Sequence, residues 1–251
     1  MRVLVTFAVE AEFRPWRKLR RFVERRHGPS LIRSTQLGDL GVEVLLTGIG
    51  GKSAWLQTAK RVWNGDNDIC ISSGLAGALR PEYRVGQVVA AKAVHRGAWS
   101  KTTPADPTLL RRAVEGGARE VGSFYTASHV VVLAREKREL GKGSDVVEME
   151  SGEVLREAAA FGARVIAIRA ISDGVDEDMP LDFNRVTTPN GGVSLARVVG
   201  EAARHFRSIP SLLRFGQQSK LAAETLAEFL DTYIETLAGE YRMPATEAVG
   251  R

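Results

Sequence analysis

The sequence predicts an α/β fold in which a mixed β-sheet is covered by helices on both faces. Three observations carry this. Short β-branched runs alternate with longer stretches of helical period. Hydrophobic residues make up 44% of 251 residues, enough to bury one large core. The strand-like run at residues 86–94 is entered through a loop instead of a long helix, which calls for antiparallel pairing within an otherwise parallel sheet.

Taken in order, residues 2–7 read as the first strand because β-branched and apolar residues dominate them, and residues 11–24 as the helix that follows. Residues 42–46 form the second strand, followed by a helix over 52–63. Further strands are expected at 68–72, 86–94, 130–133 and 164–171. Residues 150–161 carry Ala and Leu at helical spacing, with Gly162 placed as the C-terminal cap. After Asp173 the chain changes character. Pro180, Pro189, Asn190, Gly191 and Gly192 mark loops, residues 194–206 return to helical pattern, and Pro210 opens another helical section. Along 219–237, Leu221, Ala222, Thr225, Leu226, Phe229, Leu230, Tyr233 and Leu237 form one stripe, an amphipathic helix suited to core packing or a subunit contact. The whole chain, 1–251, reads as a single domain with an extra helical tail from about residue 194.

Composition excludes several classes. Lys and Arg number 35 against 30 Asp and Glu, a net charge of +5, but the basic residues are scattered or sit in helical stretches such as 17–26 with apolar residues between them. That pattern suits a solvated helix face better than a groove that tracks phosphates. The single cysteine, Cys70, lies in an apolar run and reads as a buried strand residue instead of a nucleophile. No stretch reaches the roughly 18 apolar residues of a membrane span, and the first eight residues are too short for a secretory signal. The expected location is the cytoplasm.

In open α/β sheets ligands bind beyond the carboxyl ends of the strands. The pieces at those ends are Ala8-Val9-Glu10-Ala11-Glu12, Thr47-Gly48-Ile49-Gly50-Gly51-Lys52, Ser73-Gly74-Leu75-Ala76-Gly77 and Ser172-Asp173, with Val147-Glu148-Met149-Glu150-Ser151 just before a helix. Glycines there let backbone amides approach a ligand, but neither the P-loop nor the dinucleotide fingerprint is present. Asp173 follows an apolar run, so burial is expected to favour its protonated form and equip it to donate to a leaving group. Glu12, at a different strand end, could hold and deprotonate a water, completing the acid and base that cleavage of a sugar bond requires. Glu150 could accept hydrogen bonds from two ribose hydroxyls while the Met149 thioether packs on the apolar side. Each also has a plain structural reading: Asp173 as a turn cap, Glu12 and Glu150 as first-turn acids that complement a helix dipole.

With these residues in place the sequence resembles the purine nucleoside phosphorylase superfamily, and within it the methylthioadenosine/S-adenosylhomocysteine nucleosidases. The matching pieces are those above together with Val85-Gly86-Gln87-Val88-Val89 and Arg169-Ala170-Ile171-Ser172-Asp173, and they span most of residues 1–185. The resemblance implies a three-layer α/β/α phosphorylase/hydrolase-like fold with a central mixed, partly closed β-sheet, a homodimer, and no metal or organic cofactor. It implies that Asp173 protonates N7 of a purine, Glu12 activates water at the anomeric carbon, Met149 and Glu150 hold the ribose with Glu148 close to the sugar, and Ser172 steadies the base or Asp173. Ser73, Gly74, Ile49 and Gly50 complete the substrate-binding set.

Two departures shape the expected substrate. Glu12 stands where phosphorylases of the superfamily carry a glycine and arginine pattern that grips phosphate, which favours water as the attacking group. The stretch Thr126-Ala127-Ser128-His129-Val130-Val131-Val132 lacks the aromatic that stacks on the purine in methylthioadenosine hydrolases, leaving the base and the 5′ group open. The tail from Gly191 onward resembles that of the hopanoid-associated phosphorylase group, and an apolar tail would suit a greasy 5′ substituent. The expected activity is hydrolysis of a 5′-modified adenosine. Phosphorolysis on the same scaffold and a non-catalytic nucleoside-binding role are the alternatives.

Overall fold

A computed structural model describes residues 1–27, 30–63, 67–97, 101–182, 184 and 209–240. Its strands are β1 (Arg2–Phe7), β2 (Val23–His27), β3 (Ser30–Leu37), β4 (Leu40–Leu46), β5 (Ile69–Ala78), β6 (Val88–His95), β7 (Thr103–Pro104), β8 (Arg119–Thr126), β9 (Val146–Glu148) and β10 (Arg164–Asp173). Its helices are α1 (Glu10–Leu19), α2 (Gly51–Trp63), α3 (Pro107–Glu115), α4 (Ala134–Leu140), α5 (Ser151–Ala160) and α6 (Ile209–Glu240). The expected α/β class, the mixed sheet and its partial closure are all present.

Closure comes from β5. One edge of this ten-residue strand pairs with β10 along its length, while the other pairs in parallel with β1 at its start and antiparallel with β9 at its end. The path β5–β10–β6–β8–β9 then returns to β5, and β1, β4, β3 and β2 continue outward from it as an open wing. The long parallel strands β5 and β10 are buried on both faces, as a sheet covered on both sides requires. On one face Phe13 and Trp16 of α1, Leu109 and Ala113 of α3 and Leu226, Leu230 and Ile234 of α6 form one core; Ala54 and Val62 of α2 with Val154, Leu155 and Ala158 of α5 form the other.

The differences from the sequence reading have local causes. The first helix stops at Leu19, not residue 24: Arg20 turns extended, Phe22 folds back onto Phe13 and Trp16, and Val23 opens a strand. The basic run 17–26 is therefore half helix and half edge strand. β2, β3 and β8 escape a hydrophobic pattern because polar side chains interrupt each of them. The apolar run at 130–133 is an irregular segment before α4 and not a strand; its valines are apolar because Val130 and Val131 wall a cavity. Residues 194–206 lie outside the described residues. The terminal amphipathic stripe is borne out as core packing over a longer span, with Leu221 exposed and Leu226, Leu230 and Leu237 buried. Trp16 Nε1 and Arg20 Nε both donate to Asp231, and the Tyr233 hydroxyl donates to the Leu109 carbonyl, tying α6 to α1 and α3. Cys70 is buried, and burial pushes its thiol up to about 12, as a strand residue and not a nucleophile would have it.

Because α6 supplies a whole stripe of the first core, Leu230→Ala is expected to lower unfolding free energy by about 2–5 kcal/mol in chemical denaturation. A loss below about 1 kcal/mol would mean that α6 is not a core element.

Candidate active site

The carboxyl ends of β1, β5, β9 and β10 meet around a cavity of about 220 Å³. A larger depression between β2–β4 and Arg61 lies away from these strand ends, so size does not select the site. Around the smaller cavity stand Glu12, Glu148, Met149, Glu150, Ser172 and Asp173, together with Ile49. Of the residues expected from sequence, Gly50, Ser73 and Gly74 are not on its wall. Gly50 acts from behind, donating its N–H to Glu150 Oε1 at 2.8 Å. Ser73 is buried, and its hydroxyl has no hydrogen-bond partner among the described residues.

Each carboxylate is held differently. Glu12 lies in the first turn of α1, where Oε2 accepts from the Ala8 and Val9 amides (2.9 and 3.2 Å), so the dipole-complementing role is real. Its other oxygen accepts from the Leu75 amide at 3.0 Å, which turns the group inward. A carboxylate offers about four acceptor positions; three are taken, leaving one to face the cavity. Glu148 is different. It accepts from Arg169 Nη2 at 2.6 Å, from the Thr126 hydroxyl, and from the Glu150 and Ser151 amides at 2.9 and 2.6 Å. Three of these donors converge on Oε2, so Glu148 braces the N-terminus of α5, while Oε1 takes only Thr126 and the residue still lines the cavity. Among the described residues Glu150 accepts only from Gly50 and, at 3.4 Å, from Arg169, so acceptor capacity remains beside Met149.

Arg169 joins these groups. It is 1% exposed, and Nη2 also donates to Ser151 Oγ at 3.0 Å. Burial opposes its charge, but the carboxylates of Glu148, Glu150 and Glu12 outweigh burial and raise its pKa. Burial pushes Glu150 in the same direction, up to about 7, against the Arg169 guanidinium. Gly74 makes the arrangement possible: at φ +140°, a Cβ there would stand 2.5 Å from Arg169 Nη1 and 2.8 Å from Glu12 Oε1.

Asp173 sits across the cavity, after a bulge in β10 where the register with β5 slips between Ile171 and Asp173. The bulge lets both consecutive residues, Ser172 and Asp173, line the cavity. Oδ1 accepts from Ser172 Oγ at 2.6 Å. Oδ2 is 2.5 Å from Lys137 Nζ, a buried cation of α4, so Asp173 is not the lone carboxyl in an apolar pocket that its sequence context suggests. Gly77 leaves room for it, since a Cβ there would be 2.9 Å from Oδ2. The remaining wall is mostly apolar, with Val9, Ile49, Val130, Val131, Met179 and Phe215, and His129 also lines it. Phe215 comes from α6, whose Arg214 and Gln218 donate to Glu177 in the segment after Asp173.

Sequence reasoning missed Lys137, Met179 and Phe215 as parts of the site. Lys137 lies in Ala-Arg-Glu-Lys-Arg-Glu-Leu, which reads as a solvated helix. Arg169 carried a usable signal, a charge inside a strand that is otherwise apolar.

Comparison with known proteins identifies the family and the fold. The family model described as the phosphorylase superfamily matches residues 2–204. Among solved structures, a mutant of the 5′-methylthioadenosine/S-adenosylhomocysteine nucleosidase of Helicobacter pylori, with 5′-methylthioadenosine in its active site, aligns with TM-score 0.73 at 17% identity, covering 94% of this chain and 98% of that one. A futalosine hydrolase mutant of the same organism aligns equally well, with 99% of its chain covered. The Neisseria meningitidis nucleosidase, in complex with methylthio-immucillin-A, gives 0.72 at 20% identity over 94% and 99%.

Two outcomes test the geometry. Gly74→Ala is expected to displace Glu12 and Arg169 and cut turnover by about 10²-fold; near-normal rates in a folded variant would show that neither group needs its present position. For Glu150, the folded state holds the proton more tightly than the unfolded chain. Its contribution to stability is thus full below the ordinary value of 4.5 and lost as pH rises through about 7. Between about pH 5 and pH 8 the thermal midpoint of Glu150→Gln should therefore fall less than that of the wild type, and parallel curves would contradict a buried, proton-holding Glu150.

Proposed function

From the fact that this chain belongs to the phosphorylase superfamily, we propose that it is a nucleosidase, splitting the N-glycosidic bond of a 5′-modified adenosine with water. Asp173, steadied by Ser172, is the acid that protonates N7 of the purine. Glu12 is the base that deprotonates water at the anomeric carbon, and Glu150 with Met149 holds the ribose. As the bond to the base breaks, its electron pair leaves with the purine, and the sugar passes through an oxocarbenium-like state facing the carboxylates.

The observation that carries hydrolysis over phosphorolysis is the charge at the sugar end. Glu12, Glu148 and Glu150 stand against one guanidinium, and the nearest nitrogen of Arg169 is already committed to Glu148 and Ser151. A phosphate dianion entering here meets net negative charge in a low-dielectric site, whereas a water meets the open acceptor position of Glu12. The buried Ser73 hydroxyl and Arg169 Nε, both without partners among the described residues, are groups that bound water would satisfy. The apolar wall formed by Ile49, Val130, Met179 and Phe215 supports a purine and an apolar 5′ substituent. Phe215 brings the terminal helix to the substrate, in keeping with one domain whose tail shapes specificity. A homodimer remains part of this reading, to be checked by mass in solution.

Among the described residues no helix is long and apolar enough to cross a membrane, and no cluster of His, Cys, Asp and Glu could hold a metal ion.

Incubation with a panel of 5′-substituted adenosines, with and without phosphate, tests the proposal. Adenine release that is independent of phosphate and yields the 5′-substituted ribose is expected, with Asp173→Asn slower by about 10²–10⁴-fold. Release that requires phosphate and accumulates the sugar 1-phosphate would replace it by phosphorolysis. Tight binding with no release would make the protein a nucleoside-binding module.

A further inference from the structure

The acid of this site has a partner that the chemistry outlined so far does not use. Lys137 is 1% exposed, in a helix whose other charged residues face solvent. Its three N–H donors are all spent: on Asp173 Oδ2 at 2.5 Å, on the Gly174 carbonyl at 3.0 Å and on the Glu177 carbonyl at 2.8 Å. An ammonium has three donors and no acceptor, so Lys137 can take no further partner, and its positive charge 2.5 Å from Oδ2 disfavours a proton on that oxygen relative to Oδ1.

On the other oxygen the situation reverses. Ser172 Oγ lies 2.6 Å from Asp173 Oδ1 and 3.2 Å from the Ala76 carbonyl, and its single proton can serve only one of them at a time. When Asp173 is ionised, the serine donates to Oδ1. When Oδ1 carries a proton, that proton can point to Ser172 Oγ while the serine donates to Ala76. Ser172 accommodates both states of the acid; Lys137 accommodates one.

We propose that Lys137 is the positioning residue of the acid: it confines the transferable proton of Asp173 to Oδ1 and stabilises the carboxylate left when that proton has gone. This deepens, and rests on, the nucleosidase reading above. In the step itself the O–H bond at Oδ1 breaks as N7 gains the proton, and the pair of the glycosidic bond leaves with the purine. The new carboxylate then lies against an ammonium already in place, so no reorganisation is needed at the moment of reaction. The water gives its proton to Glu12 as its oxygen bonds to the anomeric carbon; Glu12 then releases that proton to solvent, and solvent reprotonates Asp173. Lys137 touches neither substrate nor sugar, and its contacts with Gly174 and Glu177 also anchor the segment that carries Met179 to the wall.

The test compares Lys137→Met with wild type on two substrates, a purine nucleoside and a nitrophenyl riboside whose leaving group departs without a proton. Lys137→Met is expected to lower kcat on the purine nucleoside by about 10²-fold, with KM nearly unchanged and little loss on the nitrophenyl riboside. Lysine removal leaves a buried carboxylate unpaired, so the pair Asp173→Asn and Asp173→Asn with Lys137→Met provides a second reading in which that charge is absent. There the lysine change should cost nothing further. Equal losses on both substrates, or the same fold loss in the Asp173→Asn background, would overturn the proposal and leave Lys137 a purely structural cation. Wild-type protein that cleaves the riboside but no purine nucleoside would instead overturn the nucleosidase reading itself.

Discussion

One buried guanidinium makes this site possible. Glu12, Glu148 and Glu150 come from different segments, and gathering three carboxylates out of water is prohibitive unless a cation stands among them. Arg169 is that cation, delivered by the strand that carries Asp173 four residues later. Its position depends in turn on what is missing from β5: with any side chain at residue 74 the guanidinium and the Glu12 carboxylate would collide with it. A bare backbone position in one strand and a charge in its neighbour set where everything else can stand.

The carboxylates are then divided by how many of their acceptor positions the protein fills. Glu148 takes four donors, three of them on Oε2, and acts as a brace between α5, Thr126 and Arg169. Glu12 keeps one position open, held in register by backbone amides at the ends of two strands, which suits a base that must orient a single water. Glu150 keeps more capacity, and burial lets it hold a proton near neutrality, so it can donate to or accept from a hydroxyl. Across the cavity Asp173 is kept apart from this cluster by its own cation. Two separate cations hold Glu12 and Asp173 in distinct electrostatic surroundings, as the proposed base and acid require.

Much of this was legible in the residues. β1 stands where the pattern of residues 2–7 predicts it, the mixed sheet follows from the loop entry to residues 86–94, and Glu12, Glu150, Ser172 and Asp173 converge as strand-end residues should. What was not legible has physical causes. The polar strands β2 and β3 form the outer wing, where an edge needs no apolar alternation. The valines at 130–133 mimic a strand because a ligand wall and a sheet interior call for the same side chains. The bracing by Glu148 depends on Thr126 and Arg169, distant in sequence, and Lys137 is hidden among residues that any solvated helix would carry. Composition and spacing report which groups are present at an edge; they do not report how many of their hydrogen bonds are already made.

The most direct test is a crystal structure of the Asp173→Asn protein with a 5′-thio-substituted adenosine bound. Purine N7 should lie within hydrogen-bond distance of the amide that replaces the Asp173 carboxyl, the ribose hydroxyls on Glu150, and an ordered water between Glu12 and the anomeric carbon. A nucleoside seated elsewhere, or one whose sugar turns away from Glu12 and Glu150, would contradict the account.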